Sequence, residues 1–289
     1  MTYNHINFIT GEGIENIARF PDGDIQPKLK DLNRKYPTKV TMRLKTPEDF
    51  FLLLCLTDIV HRQELRIDEV YFPYFMSMRN DRVMNFASSF NLKVIGNMID
   101  MIGADHIRVL TAHDRDAMKH CIKTPIVFQD NFDFADDTCI SMFMRNFNVL
   151  AFPDEGACKN FQHAAKYFLS LGNGRKVIWF KKDRITEQFT LAQTDVNLEG
   201  ARVLVVDDLC DGGWTFGKIA EKLNELGIAY RGIMITHLIQ EKGLVLLLQN
   251  YDEVVLTNSF KDWKTEAFTN IGELRCKSVQ ILDVLKPNA

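Results

Sequence analysis

Val203 to Val206 are continuously apolar and mostly β-branched, the pattern of a parallel-sheet strand covered on both faces. Beyond the short polar stretch that follows, Phe216, Ile219, Ala220, Leu223 and Leu226 recur at helical spacing, and Gly227 is placed to end that helix. Similar apolar runs predict strands over residues 70–74, 108–110, 149–152, 177–180, 232–236 and 254–256, alternating with helical stretches. This alternation gives an α/β fold. The strongly apolar run from Phe50 to Leu56 predicts a buried helix, with Thr46-Pro-Glu-Asp as its cap and Pro47 at the first helical position.

Between the Val203–Val206 run and its helix lies Asp207-Asp-Leu-Cys-Asp-Gly-Gly-Trp-Thr215. A loop leading from the carboxyl end of a parallel strand into a helix amino terminus lies where open α/β sheets bind ligands and where unpaired amides attract anions. Gly212 and Gly213 let the backbone fold around a phosphate, and the Thr215 hydroxyl can donate to it. Asp207 and Asp208 repel phosphate, but as acceptors they can hold the hydroxyls of a ribose beside it. The ligand implied is a ribose 5-phosphate unit. A Walker B strand also ends in acids, yet the chain has no G-x-x-x-x-G-K-[ST] element. A dinucleotide fingerprint fits no better, because its acid follows the glycines by roughly 20 residues instead of preceding them.

At 289 residues the chain is long enough for two ordinary domains, and 46% hydrophobic and 11% aromatic residues support substantial cores. A net charge of −3 gives no general attraction to nucleic acid, so its basic residues must act locally. The cysteines at 55, 121, 139, 158, 210 and 276 form no C-x-x-C pair, and the amino terminus lacks the order of a signal peptide. Residues 50–56 fall far short of the ~20 needed to cross a bilayer. A reduced, cytoplasmic protein with no membrane span is expected. Asn146 to Asn148 lies between two strand–helix sets and sets a boundary between residues 1–147 and 148–270.

The acidic strand end and glycine loop resemble the 5-phosphoribosyl 1-diphosphate (PRPP) binding motif of the type I phosphoribosyltransferase fold. Further segments are similar to those of the PRPP synthetases, the ribose-phosphate diphosphokinases, in that family's order. Phe20-Pro-Asp-Gly-Asp24 resembles Phe-x-Asp-Gly-Glu, which lies against ATP adenine in a neighbouring subunit. Tyr71-Phe-Pro-Tyr-Phe-Met-Ser-Met-Arg-Asn-Asp-Arg82 is similar to Pro-Tyr-x-x-Tyr-x-Arg-Gln-Asp-Arg, with Arg79 at the ATP-binding arginine and Asn80 where glutamine is usual. Val109-Leu-Thr-Ala-His113 resembles the Asp-Leu-His strand end, and Phe152-Pro-Asp-Glu-Gly156 resembles Ser-Pro-Asp-x-Gly. Ile178-Trp-Phe-Lys-Lys-Asp-Arg184 looks like the start of the catalytic flexible loop, whose Lys-x-Arg pair becomes Lys182 and Arg184. Ile235-Thr-His237 and Leu256-Thr-Asn258 also have counterparts.

The resemblance implies two phosphoribosyltransferase-like domains, each a largely parallel sheet flanked by helices, with residues 271–289 returning to the first domain. It implies a Mg²⁺-dependent transfer of the diphosphate of ATP to the anomeric hydroxyl of a ribose 5-phosphate-type acceptor, with release of AMP. Lys182, Arg184 and His113 are the catalytic candidates, and His113 and Asp154 the metal candidates. Phe20, Asp22, Asp24, Arg79 and Asn80 are assigned to ATP, and Asp207, Asp208, Asp211, Gly212, Gly213, Trp214 and Thr215 to the acceptor. A homo-oligomer is also implied, since the Phe20–Asp24 segment serves a neighbour. The chemistry suits these residues, because phosphoryl transfer is catalysed by positioning and by cations that meet developing charge. Mg²⁺ keeps several waters and takes other oxygens from phosphate, so few protein ligands suffice.

The chain departs from the family at several of these positions. Thr111 stands where aspartate is usual, Asp24 is a methylene shorter than glutamate, and Gly212 and Trp214 replace a threonine and a glycine of Thr-Gly-Gly-Thr. The rebuilt phosphate loop raises ADP-ribose as an alternative acceptor, with ADP-ribose 1-diphosphate as product and Trp214 stacked on the distal adenine. In a plainer account Trp214 packs into the helix or an adjoining subunit. Two other readings place the chain as a catalytically silent regulatory homologue, or as a phosphoribosyltransferase that consumes PRPP. Retained Lys182, Arg184, His113 and Asp154 speak against the former, and the latter has no use for Phe20, Asp22 or Arg79.

Overall fold

Strands buried on both faces require helices on either side of their sheet. The computed structural model of the chain has such a sheet in each of two units, Met1–Gln129 and Asp130–Ala289. It describes residues 2–130, 143–172, 174–183, 188–193, 196–263 and 275–285. No helix among the described residues is long and apolar enough to cross a membrane.

In the first unit, β1 (Asn4–Asn7), β4 (Thr38–Thr41), β5 (Ile67–Phe72), β6 (His106–Leu110) and β7 (Ile126–Gln129) lie side by side in that order, all parallel. An antiparallel hairpin of β2 (Ile14–Arg19) and β3 (Ile25–Leu29) stands apart from this sheet. Helix α1 (Pro47–Arg62) starts at the expected cap: the Asp49 backbone N–H donates to the Thr46 hydroxyl at 3.2 Å, and the Asp49 carboxylate accepts from the Thr46 N–H at 2.8 Å. Helices α2 (Asn91–Asp100) and α3 (Arg115–Cys121) complete the unit's described helices.

One carboxylate is buried within the first sheet. Glu69 on β5 is 1% exposed, and it accepts hydrogen bonds from Arg108 at 2.6 and 2.9 Å and from the His106 ring at 2.9 Å. Lys39 of β4 stands 3.7 Å away on the other side, directly opposite in register. Burial pushes the Glu69 carboxyl up, but the hydrogen bonds from Arg108 and His106 and the charges of Arg108 and Lys39 outweigh it and hold the group below the usual carboxylate range.

The second unit orders its strands as β10 (Phe189–Leu191), β9 (Lys176–Lys182), β8 (Val149–Phe152), β11 (Arg202–Cys210), β12 (Tyr230–Leu238), β13 (Glu253–Thr257) and β14 (Ser278–Leu282). All are parallel except β10, which returns antiparallel along β9. The chain runs outward from β8 to β9, then crosses back to β11 on the other side. The crevice outside the carboxyl ends of β8 and β11 is therefore the topological switch point, where such sheets bind ligands. Val203 and Val205 face one core with Ile219 and Leu247, while Leu204 and Val206 face another with Phe161 and Phe168. Helices α4 (Glu155–Asn160), α5 (Gln162–Ser170), α6 (Trp214–Glu225) and α7 (Glu241–Asn250) supply those covering faces.

Two expectations about organisation are corrected. The division falls at residues 129 and 130 instead of 147 and 148, because Phe143, Met144 and Phe147 are buried with Leu150, Leu204 and Met234 in the second unit's core. The segment expected to return from 271 to 289 instead contributes β14, paired with β13 from Ser278 opposite Glu253 to Leu282 opposite Thr257. That pairing covers the β13 edge, whose N–H and C=O groups would otherwise lie open. Residues 271–274 and 286–289 lie outside the described residues.

The substitution Glu69→Ala, which leaves Arg108 and His106 without their carboxylate, should cost about 3 kcal/mol in urea unfolding at neutral pH. Because the folded pKa of Glu69 lies below the ordinary one, its contribution is present above the ordinary carboxylate pKa and fades as pH falls through the folded value. The gap between wild type and variant should narrow in acid; a gap independent of pH would show that packing alone sets it.

Candidate active site

The acidic pair lies inside its strand and not beyond it. β11 continues past Val206 to Cys210, with Leu209 opposite His237 and Cys210 opposite Leu238 on β12. Asp208 is 5% exposed, while Asp207 is half-buried and accepts a hydrogen bond from the Asp208 N–H at 2.9 Å. Burial pushes the Asp207 carboxyl well above its ordinary pKa, and the neighbouring charge of Asp208 and, further off, that of Asp154 push the same way. Asp154 follows β8 on the adjacent strand end. It caps α4, its Oδ1 accepting the Ala157 N–H at 2.8 Å.

After Cys210 the chain turns through Asp211, Gly212 and Gly213 into α6. Gly213 is left-handed at φ 82°, and no side chain caps the helix there, so the first amides of α6 are left for an anion. Asp211 accepts a hydrogen bond from the Gln240 side chain just before α7. The start of α7 lies flush on this loop: a Cβ on Gly243 would stand 2.4 Å from the Asp211 carbonyl oxygen, and one on Gly213 would stand 3.2 Å from Gly243. Thr215, the second residue of α6, is half-buried.

A cation that the sequence reading did not single out lies over the same loop. Lys242, in the first turn of α7, places its Cε 2.8 Å and its Nζ 3.4 Å from where a Cβ of Gly212 would stand. No carboxylate among the described residues pairs with it. The sequence signal for this approach is the adjacent Gly243, a residue that costs a helix about 1 kcal/mol relative to alanine and so marks close contact.

Trp214 opens α6 and is 40% exposed. The ammonium of Lys182 sits 4.2 Å from its ring centroid, and the buried ring of Phe189 lies 6.2 Å away at 55°. Lys182 ends β9 directly opposite Phe189 on β10. Arg184 lies outside the described residues.

The residues assigned to ATP, and His113, belong to the first unit. Phe20 to Asp24 is the turn joining β2 to β3, closed by Phe20 N–H to the Asp24 carbonyl at 2.9 Å and Gly23 N–H to the Phe20 carbonyl at 3.0 Å. Asp22 accepts from the Asp24 N–H at 3.2 Å. Phe20 and Asp24 line a cleft of about 660 Å³ with Phe51, Cys55, Asp58 and Arg62 of α1. Arg79 is exposed beside the left-handed Ser77. Asn80 accepts the Asn91 N–H through its side chain at 3.2 Å and the Leu92 N–H through its carbonyl at 3.3 Å, which ties this turn to the start of α2. His113 is half-buried beyond β6, next to Asp114, the cap of α3. Thr111 is buried at φ 42°, a strained conformation for a β-branched residue.

No family model matches the chain. Among curated proteins it is similar to the ribose-phosphate pyrophosphokinase of Pyrococcus abyssi, with 24% identity over 259 residues, covering 88% of this chain and 86% of that one. The ribose-phosphate pyrophosphokinase of Ralstonia nicotianae is 23% identical over 264 residues, 88% of this chain and 80% of its own. Among solved structures, the phosphoribosylpyrophosphate synthetase from Mycobacterium smegmatis superposes with a TM-score of 0.76 at 18% identity, over 93% of this chain and 86% of its own. The chain is a relative of the ribose-phosphate pyrophosphokinases and has the fold of a phosphoribosylpyrophosphate synthetase.

The crowded carboxylates at the end of β11 make a stability prediction. A carboxyl whose folded pKa is raised favours folding below its unfolded pKa, and that contribution is lost as pH rises through the folded value. Asp207→Asn should therefore raise the melting temperature more at pH 8 than at pH 4. An equal or smaller gain at pH 8, read by thermal unfolding, would mean that Asp207 is comfortably ionised.

Proposed function

We propose that this chain transfers the diphosphate of ATP to the anomeric hydroxyl of a ribose 5-phosphate-type acceptor and releases AMP. The observation that carries this reading is the switch-point crevice, where the strand end with half-buried Asp207 and buried Asp208 meets a left-handed glycine loop that opens an uncapped helix. Amides at the start of α6 suit a phosphate, and carboxylates one strand-end away suit the hydroxyls of the sugar that bears it. The similarity to ribose-phosphate pyrophosphokinases over most of the chain supports the same assignment.

In this reading the second unit holds the acceptor through Asp207, Asp208, Asp211, Gly212, Gly213 and Thr215. Lys182, and Arg184 with it, meet the charge that gathers on the transferring diphosphate. In the first unit, Phe20, Asp22, Asp24, Arg79 and Asn80 serve ATP. The Asn80 carbonyl and side-chain oxygen hold α2, so its role is to fix the turn that presents Arg79. Arginine at that exposed turn can clamp phosphate or stack on a base.

The donor chemistry suits Mg²⁺, since oxygen ligands are what it takes. Asp154 offers its second oxygen beside the cap, and the mutual repulsion that raises Asp207 is what a divalent ion relieves. Asp154 in the second unit and His113 in the first are each candidates to hold such an ion, which would neutralise phosphate charge. A homo-oligomer belongs to the same reading, and the exposed Phe20 and Phe51 beside the hairpin cleft support a neighbouring copy there.

Ribose 5-phosphate is favoured over ADP-ribose as the acceptor. Lys242 restores at Gly212 a donor that the loop lacks, and it adds the positive charge that a terminal phosphate dianion needs more than a diester does. The indole of Trp214, which would stack on the distal adenine, already carries Lys182 and abuts Phe189.

Purified protein given ATP, Mg²⁺ and ribose 5-phosphate should release AMP and show a new anomeric diphosphate by phosphorus NMR. Lys182→Ala should slow turnover by about 100-fold or more, and Lys242→Met should raise KM for ribose 5-phosphate about tenfold, the scale of one charge-assisted hydrogen bond. AMP release with ADP-ribose alone would move the assignment to that acceptor. Absence of AMP with either, from protein that still binds ATP, would overturn the enzymatic reading in favour of a regulatory one.

A further inference from the structure

We infer that Trp214 is a positioning residue, whose indole face seats the ammonium of Lys182 at the edge of the acceptor loop. The inference rests on the function proposed above, which gives Lys182 its task. It assigns to Trp214 a part that neither packing alone nor base stacking describes.

The indole is fixed from two directions. Its backbone follows the left-handed Gly213 directly, and its ring is backed by Phe189, which is 5% exposed. Phe189 lies opposite Lys182 across the β9–β10 pair, so the residue that steadies the indole also sets where Lys182 leaves the sheet. The ammonium then rests 4.2 Å from the ring centroid, inside the ~6 Å reach of cation–π attraction.

No carboxylate among the described residues pairs with Lys182, and this is the significant point. A flexible lysine at a strand end needs some partner to hold one orientation. A carboxylate would do so by neutralising the charge, and a phosphate would then have to displace an ion pair. An aromatic face orients the ammonium while leaving its N–H donors and most of its field for an incoming anion. The exposed setting keeps the attraction weak enough for a phosphate oxygen to win.

The substitution Trp214→Leu keeps an apolar contact for Phe189 but removes the aromatic face, and Trp214→Phe keeps a smaller one. In AMP-release assays Trp214→Leu should lower kcat by about 10- to 100-fold, the scale of a misplaced reacting group, with KM for ribose 5-phosphate changed less than threefold. Trp214→Phe should recover most of the loss. In a Lys182→Ala background, Trp214→Leu should add nothing. A rise in KM with kcat unchanged would make Trp214 an acceptor contact instead, and an undiminished effect in the Lys182→Ala background would sever the pair.

A second readout does not depend on turnover. Titration with inorganic diphosphate should change indole emission in wild type, and neither Lys182→Ala nor Trp214→Leu should show that change. Diphosphate that binds wild type, by calorimetry, with no change in emission would overturn the inference even if AMP release fails for other reasons.

Discussion

Asp207 and Asp208 repel one another where the surrounding protein has removed most of their water. Two adjacent acids near the end of a central strand crowd like charge in one place, which favours the neutral form of Asp207. The fold places them near the carboxyl end of a strand where strand order reverses, the position at which such topologies leave an opening. The cations nearby, Lys182 and Lys242, are not spent on these carboxylates. One rests on an indole and the other lies over a glycine.

The loop itself is held by contacts that only small residues permit. Gly213 and Gly243 meet back to back, so α7 fixes the path of the chain between Asp211 and Trp214 without a side chain intervening. Gln240 adds a hydrogen bond to Asp211, and the Ile239 N–H donates to the Cys210 carbonyl at 2.9 Å. The crevice beyond β11 is thus built from one strand and two helix starts packed together.

The central strands were legible because their runs are apolar without interruption, as in Val149–Phe152 and Val203–Val206. The end of β11 was less legible, since Asp207 and Asp208 resemble a strand terminus although Leu209 and Cys210 carry the pairing onward. Strands β1 to β4, β7, β10 and β14 were not read from the pattern. Most are short, polar on one side, or at an edge, as with Ser278–Leu282 and Phe189–Leu191. The acidic loop and the Trp214 anomaly could be read locally, whereas Lys242 could not, because a lysine in a helix's first turn normally faces water. Its approach to Gly212 exists only once α7 has been folded back against the loop. The position of Phe143 and Phe147 in the second core was hidden for a similar reason: their partners Leu204 and Met234 are far along the chain.

Arg79 shows how such a scaffold holds an exposed side chain in the first unit. Its turn is pinned through Asn80 to the opening of α2, while its own guanidinium group extends into solvent. An anion meeting this arginine therefore has to immobilise only one side chain, since the backbone beneath it was ordered when the domain folded. The entropic toll of capture is charged largely in advance.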